Sequence, residues 1–252
     1  MVLQGRHALV TGGGRGIGRA IAAALTQAGA KVTVVGRGEA ALKDAVAQGD
    51  ATDYALADVT DEKALGAGLA KAAQMYGTID ILVANAGGAD SAPFTKTSPD
   101  QFRRMFELNV MGTVNATRAV LDGMVARRSG RVVAIASTAG LKGYAYVSAY
   151  CAAKHAVVGL VRSLAAETMK TGVTVNAVCP GYTDTDLVRD SLARIAARTG
   201  RSREDALADM LKAGAQQRLV QPQEIADAVL RLCSPEGATV TGTTVVVAGG
   251  EP

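Results

Sequence analysis

The chain has little of what several reaction chemistries require. Among its 252 residues are two histidines, His7 and His155, and three cysteines, Cys151, Cys179 and Cys233. Neither histidine belongs to a His-x3-His or Cys/His cluster and no Cys-x-x-Cys pair occurs, so no metal site, zinc framework or disulfide scaffold is expected, only reduced, packed thiols. The Gly-x-Ser-x-Gly turn of a hydrolase triad is missing. No apolar run reaches the roughly 18 residues that span a bilayer. Residues Met1 to Arg6 lead straight into an apolar strand, with no room for a cleavable leader, so a soluble cytoplasmic protein is expected. A net charge of +4, with acids and bases mixed along the chain, does not imply nucleic acid. The local exception is Arg127-Arg128 with Arg131, either a contact for an anionic partner or a solvated helix end.

What is present is a globular composition, 48% hydrophobic and 20% charged, in a chain long enough to bury a full core. Strand-like runs at His7–Val10, Lys31–Val35, Asp53–Ala57, Ile79–Ala84, Arg131–Ser137, Val173–Val178 and Thr243–Val247 are mostly separated by helical stretches. Such alternation predicts one α/β domain over residues 1–252, a doubly wound parallel sheet with helices on both faces. One segment breaks the rhythm. From about 183 to 220 the pattern is helical, broken at Thr199-Gly200-Arg201-Ser202, and predicts a two-helix excursion over the strand C-termini. It reads as a substrate lid or as a structural insertion. It carries Arg189, Arg194, Arg198, Arg201, Arg203 and Lys212, suited to an anionic handle or to solvated helix faces.

The first strand runs into Thr11-Gly12-Gly13-Gly14-Arg15-Gly16-Ile17-Gly18 and an alanine-rich helix. Glycines at 12, 16 and 18 permit a sharp turn, close approach to a pyrophosphate and tight helix packing, with helix N-terminal amides facing the anion. Taken alone, such a turn would also suit an ordinary tight loop. About twenty residues on, an NAD site would place a carboxylate at the end of the second strand; here stand Gly36 and Arg37. Gly36 leaves space and Arg37 offers a charged fork for a 2′-phosphate, with Arg15 approaching from the other side, so NADP(H) is predicted.

Tyr150 and Lys154 are four residues apart, hence on one face of a helix. Ser137 closes an apolar strand at the edge where α/β sheets bind ligands. Reduction of a ketone needs a donor at the oxygen and an acid at neutral pH. A neighbouring ammonium, reinforced by oxidised nicotinamide, would lower the tyrosine pKa from about 10.

Together, Thr11 to Gly18, Asn85-Ala86-Gly87, Asn109, Ser137, Tyr150, Lys154 and Pro180-Gly181 resemble the short-chain dehydrogenase/reductase family, in order and over nearly the whole chain. The resemblance implies a Rossmann-type fold. It makes Tyr150 the general acid in reduction, Ser137 a donor to the carbonyl oxygen, Lys154 a ligand of the nicotinamide ribose and Asn109 the holder of a relay water. It also puts Asp58 on the adenine amino group, Val59 beside the ring, Asn85, Ala86 and Gly87 near the ribose, and Thr183 and Thr185 on the carboxamide and pyrophosphate. Thr185 equally suits a helix cap.

By the same resemblance the substrate is a ketone, foremost a 3-oxoacyl thioester on coenzyme A or a carrier protein. The alternatives are a secondary alcohol, a cyclic ketone or a hydroxysteroid, and more remotely a non-catalytic NADP-binding regulator. Of two basic positions that carrier-protein reductases use for docking, Arg128 matches one and Thr171 departs from the other. A homotetramer is implied, pairing helices that begin near Asp100 and Val147, with the C-terminal strand at a second interface.

Overall fold

The computed structural model describes residues 1–250; the Arg198 side chain also lies outside the described residues. Seven strands, β1 (His7–Thr11), β2 (Lys31–Gly36), β3 (Asp53–Leu56), β4 (Ile81–Ala84), β5 (Gly130–Ile135), β6 (Val173–Pro180) and β7 (Thr244–Val247), form one sheet in the order β3-β2-β1-β4-β5-β6-β7. Every pairing is parallel. The chain winds outward from β1 to β3, returns beside β1 with β4, then winds the other way. The crevice above β1 and β4 is therefore the switch point at which such sheets take ligands.

The central strands read as unbroken apolar runs because both faces are covered. Ala8 and Val10 pack with Val32 and Val34 under α1 (Gly16–Gln27) and α9 (Pro222–Cys233), where Ile21, Leu25, Ile225 and Val229 are buried. Leu9, Val35, Leu82 and Val132 face the other side, under α3 (Glu62–Tyr76), α5 (Gly112–Ala126) and α6 (Ser148–Thr168). The two-residue period of a strand sends alternate residues to opposite cores. The remaining helices are α2 (Glu39–Ala47), α4 (Pro99–Phe106), α7 (Asp186–Thr199) and α8 (Arg203–Gly214).

Three local features position the site. First, β5 stops at Ile135, so Ser137 stands beyond the strand rather than closing it, in extended backbone that leads into the turn Thr138–Gly140. Second, α4 passes into α5 through a π-helical turn, Glu107–Met111, which holds the buried Asn109. Third, α7 and α8 form the two-helix excursion, broken at Gly200 with φ +69° and capped at α8 by Ser202, whose side chain accepts from Asp205 N–H. Its two ends are tied: Thr183 and Val220 form a parallel bridge, Asp184 N–H donates to Val220 O at 2.9 Å, and Val220 N–H donates to Tyr182 O at 2.9 Å. No helix of the described residues is long and apolar enough to cross a membrane.

Candidate active site

The glycine turn is held from below by β4. Asn85 and Ala86 N–H both donate to Thr11 Oγ1 at 3.0 Å, and Asn85 Nδ2 donates to Thr11 O at 2.9 Å and Gly12 O at 3.3 Å. Asn85 therefore fixes the turn. Gly12, with φ +66°, has no space for a side chain, since a Cβ there would stand 2.9 Å from Asn85 Nδ2; one at Gly18 would stand 2.3 Å from Gly12 O. The backbone of the turn and the start of α1 thus lie in van der Waals contact. Helix α1 begins without a side-chain cap, Arg15 at its N-cap being extended and exposed. First-turn amides have no partner within their own helix. A turn bare of side chains beneath uncapped amides fits a pyrophosphate.

At the end of β2, the Arg37 side chain is 73% exposed and pairs loosely with Asp58 Oδ2 at 3.5 Å. Asp58 is held chiefly by Thr60, whose N–H and hydroxyl each donate at 2.9 Å; these bonds, more than Arg37, keep its carboxyl below the usual range. Two residues expected to touch different parts of a cofactor thus touch each other here. An exposed pair of this length is weak, so the guanidinium is available to a phosphate. Val59 is buried, and its carbonyl accepts from Asn115 Nδ2 at 2.9 Å, which anchors this edge to α5.

Ser137, Tyr150, Lys154, Asn109 and Gly87 converge over the ends of β4, β5 and β6. Lys154 is 5% exposed, and its ammonium donates to Ile135 O at 2.8 Å while lying 5.7 Å from the centre of the Tyr150 ring. A Cβ at Gly87 would stand 2.7 Å from Asn109 Oδ1 and 3.5 Å from Lys154 Nζ, so both side chains flank this glycine. The Asn109 amide spends both its protons, Nδ2 donating to Gly88 O and Met105 O, each at 3.0 Å, while Oδ1 accepts from Gly88 N–H at 3.3 Å. The Ser137 hydroxyl accepts from Ala139 N–H at 3.1 Å, reaches Pro180 O at 3.5 Å and faces the Tyr150 phenol.

Burial dominates the electrostatics of the pair. Burial pushes Tyr150 up to about 12, only partly offset by Ser137, and burial draws Lys154 down to about 8. The ammonium lies 5.7 Å from the ring centre with a proton on Ile135 O, and the lowering expected of it is for the pair with oxidised nicotinamide beside it. In this state Tyr150 is held firmly as a protonated acid.

Beyond β6, Gly181 N–H donates to Val247 O at 3.0 Å, and Thr183, 3% exposed, donates to Gly181 O at 3.0 Å. Thr185 occupies the N-cap of α7, but its hydroxyl donates to Thr183 O at 3.3 Å and does not cap the helix. Its methyl lies 3.4 Å from where a Gly16 Cβ would stand, so Thr185 sits opposite the start of α1. The cations of the two-helix excursion are partly spent on neighbours. Arg189 pairs with Asp184 and Asp186, each at 2.9 Å, and Arg201 pairs with Asp209. The histidines take ordinary partners: buried His7 bonds Gly77 O at 2.8 Å and Thr33 Oγ1 at 3.0 Å, and His155 Nδ1 bonds Cys151 O at 2.9 Å.

Sequence reasoning missed four contributors. Thr11 lay inside the quoted glycine turn but was not singled out, and Gly13 is required because a Cβ would stand 2.4 Å from Val34 Cγ1. Tyr144 and Tyr182 meet edge to face at 6.0 Å, and Tyr144 OH bonds Thr138 Oγ1 at 2.7 Å, beside Ser137. No local signal marks that pair, which meets only across the folded crevice.

Comparison with known proteins agrees with this geometry. Residues 6–195 match the family described as short chain dehydrogenase. The chain is 39% identical over 247 residues to an acetoacetyl-CoA reductase of Shinella zoogloeoides, covering 98% of each. It is 38% identical over 252 residues to the 3-oxoacyl-[acyl-carrier-protein] reductase FabG of Vibrio harveyi, covering 99% of this chain and 98% of that one. A crystal structure of a variant actinorhodin polyketide ketoreductase with NADPH superposes with a TM-score of 0.91 at 36% identity, over 97% of this chain and 96% of that one. The match to the family over three quarters of the chain, and to whole-length relatives over nearly all of it, makes this protein a member of the short-chain dehydrogenase family.

Proposed function

We propose that the protein is an NADPH-dependent ketoreductase that converts a 3-oxoacyl thioester to the secondary alcohol. The observation that carries this reading is the convergence of Ser137, Tyr150 and Lys154 beside a side-chain-free glycine turn at the switch point of the sheet. Gly12, Gly14, Gly16, Ile17 and Gly18 would hold the pyrophosphate, Arg15 and Arg37 the 2′-phosphate, and Asp58 and Val59 the adenine. Asn85, Ala86, Gly87, Pro180, Gly181, Thr183 and Thr185 would line the rest of the cofactor site, with Tyr150 and Lys154 at its nicotinamide end. When bound, reduced nicotinamide supplies the hydride.

The chain's own residues do the rest. Ser137 Oγ donates to the ketone oxygen as negative charge gathers there. Tyr150 Oη gives its proton to that oxygen, and the Lys154 ammonium, with the cofactor in place, would offset the phenolate charge that results. Asn109 and Lys154, flanking Gly87, frame the route by which a water returns the proton. The decisive experiment is NADPH consumption across acetoacetyl-CoA, carrier-bound 3-oxoacyl chains, cyclic ketones and steroids. No turnover on any of them, with NADPH still bound, would instead favour the non-catalytic binder.

The thioester rests on the relatives named above. A polyketide or cyclic ketone is the second reading, favoured by the edge-to-face Tyr144 and Tyr182 rings beside the catalytic hydroxyls. Carrier docking draws less support from the basic cluster. Arg127 donates to Ile79 O at 2.9 Å, Arg128 to Lys170 O at 3.0 Å and Arg131 to Gly130 O at 2.9 Å, which spends part of each guanidinium inside the chain. A homotetramer is the proposed assembly. Phe106 and Met111 stay exposed at the junction of α4 and α5, and Val246 on β7 is 46% exposed, apolar surface at both proposed interfaces. Light scattering that found a stable, fully active monomer would overturn it.

A further inference from the structure

The two ends of the lid meet at one side chain. Gln216, 6% exposed, follows α8 directly and reaches back to the segment after β6. Its Oε1 accepts from Tyr182 N–H at 2.6 Å, and its Nε2 donates to Tyr182 O and to Arg218 O, each at 3.2 Å. The same amide fills the space above Gly181, where a Cβ would stand 2.5 Å from Oε1. One side chain thus holds both backbone groups of Tyr182, 34 residues earlier in the chain.

Tyr182 is the residue through which that grip reaches the crevice. Its ring packs against Gly214 at the end of α8, where a Cβ would stand 3.0 Å from Cε2, and meets Tyr144 edge to face. Tyr144 in turn bonds Thr138, next to Ser137. A buried amide with both ends engaged defines one orientation, whereas an apolar side chain of similar size would not.

The geometry points to Gln216 as a positioning residue of the reductase: by clamping Tyr182 at N–H and C=O, it sets the aromatic wall against which the ketone is held for Tyr150 and Ser137. This rests on the reading of Tyr150 as the acid. The effect runs through the Tyr182 ring, which meets Tyr144; Gly181 and Thr183 on either side are assigned to the cofactor, so NADPH affinity is the control that separates the two.

The test is a double-mutant cycle on the enzyme with NADPH saturating. Gln216→Met keeps the length of the side chain and its cover over Gly181 but deletes all three hydrogen bonds. KM for the ketone should rise roughly tenfold, the size expected for unpairing one or two half-buried backbone groups, with a smaller change in kcat and NADPH affinity within about twofold. In a Tyr182→Ala background Gln216→Met should add nothing to KM, because the wall it positions is gone. A parental KM in Gln216→Met, additive effects in the cycle, or an equal loss of NADPH affinity would each overturn the proposal. If Gln216→Met does not fold, Gln216→Glu, which keeps the acceptor for Tyr182 N–H but turns a carboxylate oxygen toward Tyr182 O and Arg218 O, should raise KM at neutral pH, and a parental KM there overturns the proposal too. Tyr150→Phe run alongside separates the two readings. If it is inactive while Gln216→Met is parental, only the positioning role fails; if it turns over at the parental rate, the reading of the site itself fails.

Discussion

The crevice has two walls built on different principles. The glycine-turn wall is backbone against backbone: Gly18 against Gly12 O, Gly12 against Asn85, Thr11 tied to β4, with almost no freedom in any of these contacts. The lid wall is side chain against side chain. Helices α7 and α8 bury few residues, Arg189 and Arg201 pair with acids on the same segment, and among the described residues Gln216, the Thr183–Val220 bridge and a bond from Lys142 Nζ to Gly214 O help to tie the segment down. A wall made of backbone suits what every dinucleotide shares, while a wall made of exchangeable side chains is the one proposed to select the substrate. Substitutions in the first should therefore strike cofactor use or chemistry, and those in the second should sort one ketone from another.

The largest effect is expected where the walls meet. Tyr150→Phe removes the proton donor and leaves the ring over Lys154, so turnover should fall by about 10²–10⁴-fold while NADPH binding, followed by fluorescence, stays near parental. Near-parental turnover at neutral pH would assign the acid elsewhere. Lys154→Ala should damage both, since it empties a buried site beside Gly87 as well as removing the charge.

Next in size, Arg37→Asp should cost NADPH a charge-assisted contact worth about 1.5–3 kcal/mol, or roughly ten- to hundredfold in kcat/KM, and should shift preference toward NADH. The substitution also sets two carboxylates side by side at Asp58, 3.5 Å from the present guanidinium, so stability should change little only if the side chains turn apart into solvent. An unchanged NADPH-to-NADH ratio would place the 2′-phosphate elsewhere.

Proton linkage distinguishes the buried chemistry from its surroundings. Lys154 titrates near 8 and Tyr150 near 12, both through burial. In the free enzyme the ammonium is therefore present below about pH 8 and lost above it. The kcat/KM for NADPH, which reports free-enzyme groups, should be level below that point and fall by roughly tenfold per unit above it. Stability moves the other way for this group. Between about 8 and its ordinary 10.5 the unfolded chain keeps a proton that the folded chain has released, so its contribution to stability rises with pH. Activity lost over this range without a fall in thermal midpoint would identify titration and not unfolding; a profile level to pH 10 would reject Lys154 as the group.

How much of this was legible in the sequence follows the same division. The central strands were readable because a parallel strand buried on both faces must be apolar at every position, as Leu9 and Val10 show by facing opposite cores. The excursion was readable at 183–220, since a break and a cap at Gly200 and Ser202 are local events. The residues proposed for the cofactor stand at or just beyond strand ends, where position alone implies a role. Tertiary consequences were not readable. The end of β5 two residues before Ser137, the upward shift of Tyr150 and the π-helical turn around Asn109 depend on what packs above them. Gln216 gives no local signal, because its partners lie 34 residues earlier.

The smallest predicted effect is the sharpest test of the lid as selector. If the lid meets an anionic handle, it must do so with cations not already spent. Arg189 and Arg201 face carboxylates on their own segment, whereas among the described residues no ion pair engages Arg194, Arg203 or Lys212. Reversing Arg194 and Lys212 to Glu should therefore raise KM for acetoacetyl-CoA several-fold at low salt, an effect that shrinks as salt screens it over a Debye length of about 10 Å at 0.1 M. A neutral cyclic ketone should be spared at every salt concentration, because screening acts only on the charged contact. Reversing Arg189 and Arg201 instead breaks exposed pairs worth about 0–1 kcal/mol and should trim stability slightly without separating the two substrates. If both double variants raise KM equally for both ketones, the lid closes over the site without reading the substrate, and selection falls to the Tyr144 and Tyr182 wall beneath it.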